Sequence, residues 1–243
     1  MSNVYLLLWL EAPLQSWGAD SRFGRRGTLE FPTKSGILGL LCCALGAGGE
    51  QRELLEEMAP LTQSVISFGR KRENSRGEWQ KVGREPLLRD FQMVGSGYDE
   101  KNPWETLLIP KKSDGTAAVN GGSKITYRYY LQGEAFAAIL EVPAEKAATF
   151  ANALENPYWD IYFGRKCCAP TDFIYRGCFE SAPSALEKAL EIADGKGRVE
   201  DFRVVDGEGA GETIILNDVP IQFGENKVYR ERRVSILTID DDA

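Results

Sequence analysis

Histidine is absent from all 243 residues, and its absence removes two chemistries at once. The mixed Cys/His zinc sites common in small domains are excluded. So is the imidazole acid–base pair that a metal-independent ribonuclease uses most readily near neutral pH. Cysteine is sparse too: five residues, placed as Cys42-Cys43, Cys167-Cys168 and a single Cys178, have neither the even count of a disulfide framework nor the spacing of paired zinc knuckles. These thiols read as core and interface packing, and no metal or other cofactor is called for. Long apolar runs are missing as well. The one at the start of the chain covers residues 4–10, far short of the roughly 20 residues that cross a bilayer, and no positive segment precedes it as in a secretory signal. A cytoplasmic protein with no membrane partner is expected.

An excess of positive charge is also lacking, since the net formal charge is −7. Its distribution is uneven. Residues 1–130 carry 17 Lys/Arg against 15 Asp/Glu, whereas residues 131–243 carry 12 against 21. A local basic groove can still bind a polyanion, because exposed charges beyond a Debye length of about 8–10 Å are largely screened.

What is present begins with Phe31-Pro32-Thr33-Lys34-Ser35-Gly36-Ile37-Leu38-Gly39-Leu40-Leu41. Pro32 suits the edge of a helix, Thr33 and Ser35 are both N-cap candidates, and the apolar run behind them predicts a buried helix over 34–47. The start of that helix is expected to be exposed. Free N–H groups, the positive end of the helix dipole and the Lys34 ammonium would then favour an anion. Upstream, Trp17-Gly18 leads to Arg22, Arg25 and Arg26 with Phe23 among them, a pattern that fits either a flexible polyanion or a solvated loop.

Periodicity predicts strands over 4–10, 64–68, 87–93, 124–131, 134–142 and 172–179, with helices over 51–58, 143–154 and 184–193. The order β-α-β-β-α-β over the first 182 residues is that of a ferredoxin-like, RRM-like α+β domain. It is interrupted at residues 70–124 by a basic, glycine-containing segment that reads as a projecting insertion with a mobile tip. Residues 183–243 read as a smaller β-rich domain, with strands over 213–216 and 228–239.

The chain resembles the Cas-five family of CRISPR systems, of the RAMP superfamily, in its type I-E Cascade branch. The resemblance rests on Trp17-Gly18, Pro32-Thr33-Lys34-Ser35-Gly36 with Gly39-Leu40, Arg89-Asp90-Phe91, the run Ile125-Thr126-Tyr127-Arg128-Tyr129-Tyr130-Leu131, Pro157-Tyr158 with Phe163-Gly164-Arg165-Lys166-Cys167, and the stretch from Tyr229-Arg230 to Val234. Together these span roughly nine-tenths of the chain. The resemblance implies a ferredoxin-like domain with a protruding thumb, here the basic insertion. It also implies a non-catalytic subunit that binds the 5′ handle of CRISPR RNA beside the large subunit and the backbone subunits, and that meets target DNA through the complex in antiviral defence.

The RNA-binding set expected on this reading is Arg22, Arg25, Arg26, Lys34, Ser35, Arg84, Lys124, Tyr127, Arg128, Arg165 and Lys166. Trp17 fits either base stacking or core packing. One departure concerns chemistry: many relatives carry histidine after an Asp-aromatic pair, and here Gln92 follows Asp90-Phe91. The alternative, a metal-independent endoribonuclease acting on repeat RNA, would have to use Tyr127, Lys124 and Arg128. Moving Tyr or Lys from about 10 to near 7 requires about 4 kcal/mol of environmental bias. A nucleotide-hydrolysing turn at Lys34-Ser35-Gly36 lacks the Walker spacing. The carboxylates Glu53, Glu56, Glu57 and Asp240-Asp241-Asp242 read as solvated charge.

Overall fold

The computed structural model describes residues 2–18, 21, 24–77, 79–94, 101–106, 114–116 and 124–239. In chain order the elements are β1 (Asn3–Glu11), β2 (Leu14–Gln15), β3 (Arg25–Arg26), α1 (Lys34–Leu45), α2 (Arg52–Met58), β4 (Gln63–Glu73), β5 (Trp79–Val82), β6 (Leu88–Val94), α3 (Pro103–Thr106), β7 (Lys124–Gln132), β8 (Ala135–Pro143), α4 (Ala144–Glu155), β9 (Tyr175–Phe179), α5 (Ala182–Gly195), β10 (Arg198–Asp206), β11 (Glu212–Gln222) and β12 (Val228–Thr238). Arg22 and the greater part of the insertion's expected tip lie outside the described residues.

Seven strands form one sheet in the order β11-β12-β10-β4-β8-β1-β9, with β5 paired to β4. β1 is apolar almost throughout because both of its faces are covered. Leu6, Leu8 and Leu10 join the larger core with residues of α1 and α4, while Leu7 and Trp9 join a second core with Ala185, Ala189 and Ala193 of α5. A strand buried on both sides reads as a continuous apolar run rather than an alternating one. β1, β4, β8 and β9 lie side by side in the order β4-β8-β1-β9 with every neighbouring pair antiparallel. The β-α-β-β-α-β order of the sequence is thereby realised in space as a sheet-rich α+β fold.

Residues 182–239 supply α5 and three strands that extend this same sheet. β10 pairs with β4, and Phe202, Val204 and Val234 enter the larger core.

A second, smaller sheet is built around β7. β6 pairs with it in antiparallel register, β2 meets it at Gln15↔Leu131, and β3 runs parallel to it with Arg25↔Tyr127 and Arg26↔Arg128. Trp17 and Leu29 form a bridge that closes the loop between β2 and α1.

α1 begins as the sequence dictates. Thr33 is the N-cap, and its hydroxyl accepts the Gly36 N–H at 3.1 Å. The helix ends at Gly46 in the left-handed region, where φ is 69° and the N–H closes onto Cys42 and Cys43 carbonyls. No helix among the described residues is long and apolar enough to cross a membrane.

Candidate nucleic-acid interface

The loop that follows β2 is fixed from beneath. Gln15 is fully buried and donates to the carbonyls of Leu10 and Glu134 at 3.1 and 2.8 Å, while its oxygen accepts the Trp17 indole N–H at 3.0 Å. Trp17 is 1% exposed, and its ring stacks on Phe163 with centroids 5.7 Å apart. Of the two roles open to it, Trp17 has the structural one: it joins the β2 turn to the 163–168 loop.

Gly164 sets how closely that loop approaches. Its φ is 92°, and a Cβ there would stand 1.8 Å from the Ser16 carbonyl oxygen, so only glycine fits. The Ser16 N–H donates to the Phe163 carbonyl at 3.0 Å. Arg165 follows directly. Its guanidinium donates to the carbonyls of Tyr129 and Arg26, both at 3.1 Å, and lies 4.4 Å above the Tyr130 ring. Those bonds lock Arg165 across β3 and β7, and Lys166 beside it is exposed.

A groove runs along this wall. Ser16, Gly18, Arg26, Gly164 and Arg165 line one end. Ser35, Gly36, Tyr162, Lys166, Lys227 and Tyr229 line its middle, and Ile215, Leu216, Asp218 and Glu231 of β11 and β12 close the far end. At the head of α1, the Lys34 N–H goes to Asp218 at 2.7 Å and the Gly36 N–H goes to Thr33. The Ser35 N–H remains as a groove-facing donor of that turn, and the Ser35 hydroxyl lies 3.3 Å from that of Thr33. Lys227 and Tyr229 belong to the groove although charge patterning did not single them out. Their signal was a cation and an aromatic residue two apart, just after the turn at Gly224.

Two members of the expected set are placed elsewhere. The Lys34 side chain is not exposed at the helix start; it is 3% accessible, donates to the Leu61 carbonyl at 2.5 Å and lies 3.7 Å from Asp206. Burial pushes its pKa below the usual lysine range, with the opposing pull of Asp206 too small to restore it. The reason is architectural. Asp206 on β10 and Asp218 on β11 are joined to Arg232 on β12, and Lys34 completes this internal group of two cations and two anions. Arg84 is half-buried and engaged within the protein, 3.1 Å from Glu134 and 3.2 Å from Asp201, bonded to Ser67 and the Glu30 carbonyl, and stacked on Phe202 and Phe136.

Arg25, Tyr127 and Arg128 of that set lie on the smaller sheet. Arg25 lies 5.0 Å over the Tyr129 ring, and Arg89 lies 5.6 Å over Tyr127. Phe91, Met93, Ile125 and Tyr127 expose 61, 56, 46 and 40% of their surface, and the register pairs Phe91 with Tyr127 and Met93 with Ile125 on one face. Arg128 sits opposite Arg26 and Asp90, its Nε buried without a hydrogen-bond partner. Lys124 opens β7, and its side chain lies outside the described set. A cationic groove beside an aromatic, arginine-bearing ribbon can hold phosphates and stack unpaired bases.

The model of the CRISPR-associated Cas5 family matches residues 5–235. The chain is 30% identical over 190 residues to the CRISPR system Cascade subunit CasD of Escherichia coli (strain K12), covering 76% of this chain and 75% of that protein. Among solved structures, a chain of a CRISPR RNA-guided surveillance complex superposes with a TM-score of 0.69 at 23% identity, covering 96% of this chain and 89% of that one. A second, described as the crystal structure of a Cas protein, has a TM-score of 0.53 at 23% identity, covering 96% and 95%. With the family model spanning nearly the whole fold, groove and ribbon included, this chain belongs to the CRISPR-associated Cas5 family.

Proposed function

We propose that this chain is the CasD-type subunit of a type I-E Cascade surveillance complex, and that its groove holds the 5′ handle of the CRISPR RNA without cutting it. The framework β4-β8-β1-β9 with its crossing helices is then the ferredoxin-like domain, and β6 with β7 is the root of the thumb. The observation that carries the reading is the convergence of Arg26, Arg165, Lys166 and Lys227 with the Ser35 N–H in one groove. Arginine forks suit bidentate phosphate contacts, and such contacts fix the register of a strand. The exposed ribbon supplies rings for splayed bases. Cascade backbone and large subunits are the protein partners on this reading, with target DNA met through the assembled complex in the cytoplasm.

The reading is of a non-catalytic subunit, in keeping with the Cascade subunit to which the chain is similar. The sequence has no imidazole to move protons near neutral pH. The test is handle-RNA affinity against salt for Arg26→Ala, Lys166→Ala and Lys227→Ala, all exposed. Each lost phosphate contact lowers the slope of log affinity against log salt by about 0.7 for a single strand. A triple variant with the parent's slope refutes the groove.

A further inference from the structure

A second basic cavity, of about 190 Å³, lies between β4, the Gly83-Arg84 turn and the turn joining β7 to β8. It shares no lining residue with the groove. Five cations line it, and three of them are neutralised: Lys71 by Asp194, Arg84 by Glu134 and Asp201, and Arg198 by Glu11. Arg70 and Arg72 are exposed and form no ion pair among the described residues. Glu85 at the rim is paired with neither.

Arg70 and Arg72 stand two residues apart on one strand, hence on one face and about 7 Å apart. Arg70 is held in place, with its guanidinium 3.4 Å from the Gly133 carbonyl and packed so closely that a Cβ on Gly133 would fall 2.2 Å from its nitrogen. Gly133, at φ +63°, therefore leaves room for a guanidinium where any other residue would displace it.

We propose that this cavity is a second phosphodiester site, taking consecutive phosphates of a single-stranded nucleic acid on Arg70 and Arg72. Two forks in a row on one strand, neither in an ion pair among the described residues although Glu134 lies within electrostatic reach of Arg70, match a repeating anion, and phosphate contacts of this kind position a strand without reading its sequence. The site stands independently of the groove reading.

The test titrates the full-length chain with a short labelled oligouridylate and with its oligothymidylate counterpart, across a salt series. Arg70→Ala/Arg72→Ala is compared with Lys166→Ala/Lys227→Ala and with the combined variant, with folding checked by thermal midpoint. The double variant in the cavity is expected to lower the salt slope by about 1.4, or 0.7 for each phosphate, and to do so equally in the groove-deficient background. Loss with RNA alone or with DNA alone assigns the strand. An unchanged slope with folding intact overturns the proposal, as does competition by polyglutamate but not by either oligonucleotide. A slope that falls for the cavity variant while the groove variant matches the parent supports this site and refutes the groove.

Discussion

Replacing Lys34 distinguishes a structural cation from a ligand contact. In the exposed position expected from its motif, Lys34→Ala would weaken RNA binding and leave the fold alone. In the structure the reverse holds. The ammonium is 3% accessible and belongs to a group with Asp206, Asp218 and Arg232, whose formal charges sum to zero. Removing Lys34 leaves two carboxylates facing one guanidinium in a largely dry setting. Breaking a buried ion pair by deleting one partner costs about 3–5 kcal/mol, a large share of the roughly 5–15 kcal/mol that holds a domain folded. Lys34→Met keeps the apolar stem and isolates the charge. Urea denaturation is expected to show a loss of that size for Lys34→Met, and Lys34→Met/Asp206→Asn is expected to lose less than the two single changes added together. RNA binding by the folded fraction should keep its salt slope. Unchanged stability with a slope lowered by about 0.7 would refute the burial argument and restore Lys34 to the groove.

Three further outcomes are expected. Gly164→Ala combines a left-handed backbone with a Cβ 1.8 Å from the Ser16 oxygen; it should destabilise by about 3 kcal/mol and weaken handle RNA, read by thermal midpoint and anisotropy. For Glu11, burial alone would raise the carboxyl pKa, but hydrogen bonds from Trp9, Lys196 and Arg198 outweigh it and hold the value below 4.5. Its stabilising contribution is therefore complete above about pH 4.5 and lost as pH falls through the lower folded value, so Glu11→Gln should flatten the acid limb of a stability–pH curve; an identical limb would contradict this. Incubated with repeat RNA in EDTA, the purified chain should leave it intact, and a single discrete cut would overturn the non-catalytic role.

Local features were legible where the chain decides them locally. Thr33 caps α1 and Gly46 ends it because capping and left-handed turns depend on a few neighbouring residues. The continuous apolar run of β1 announced a central strand, and the order of elements announced the sheet. Lys34 and Arg84 were misplaced for the opposite reason. Their partners lie far along the chain, 184 residues away for the Lys34 N–H and Asp218, and spacing carries no information about such pairs. β10 escaped notice because a register shift between Glu200 and Phe202 interrupts its alternation. Arg165 and Lys166 stood out as cations. That Gly164 presses their loop against Ser16 is a property of the assembled fold alone.

The bond from the first turn of α1 to Asp218 carries a timetable. At a synthesis rate of about 5–20 residues per second, the 184 residues separating the two partners take roughly 10–40 s to emerge. Throughout that interval the helix mouth lacks its bond to Asp218 and the far bank of the groove does not exist. On the proposed function, a transcript arriving early would find half a clamp, and loading would wait for the strands made late in translation.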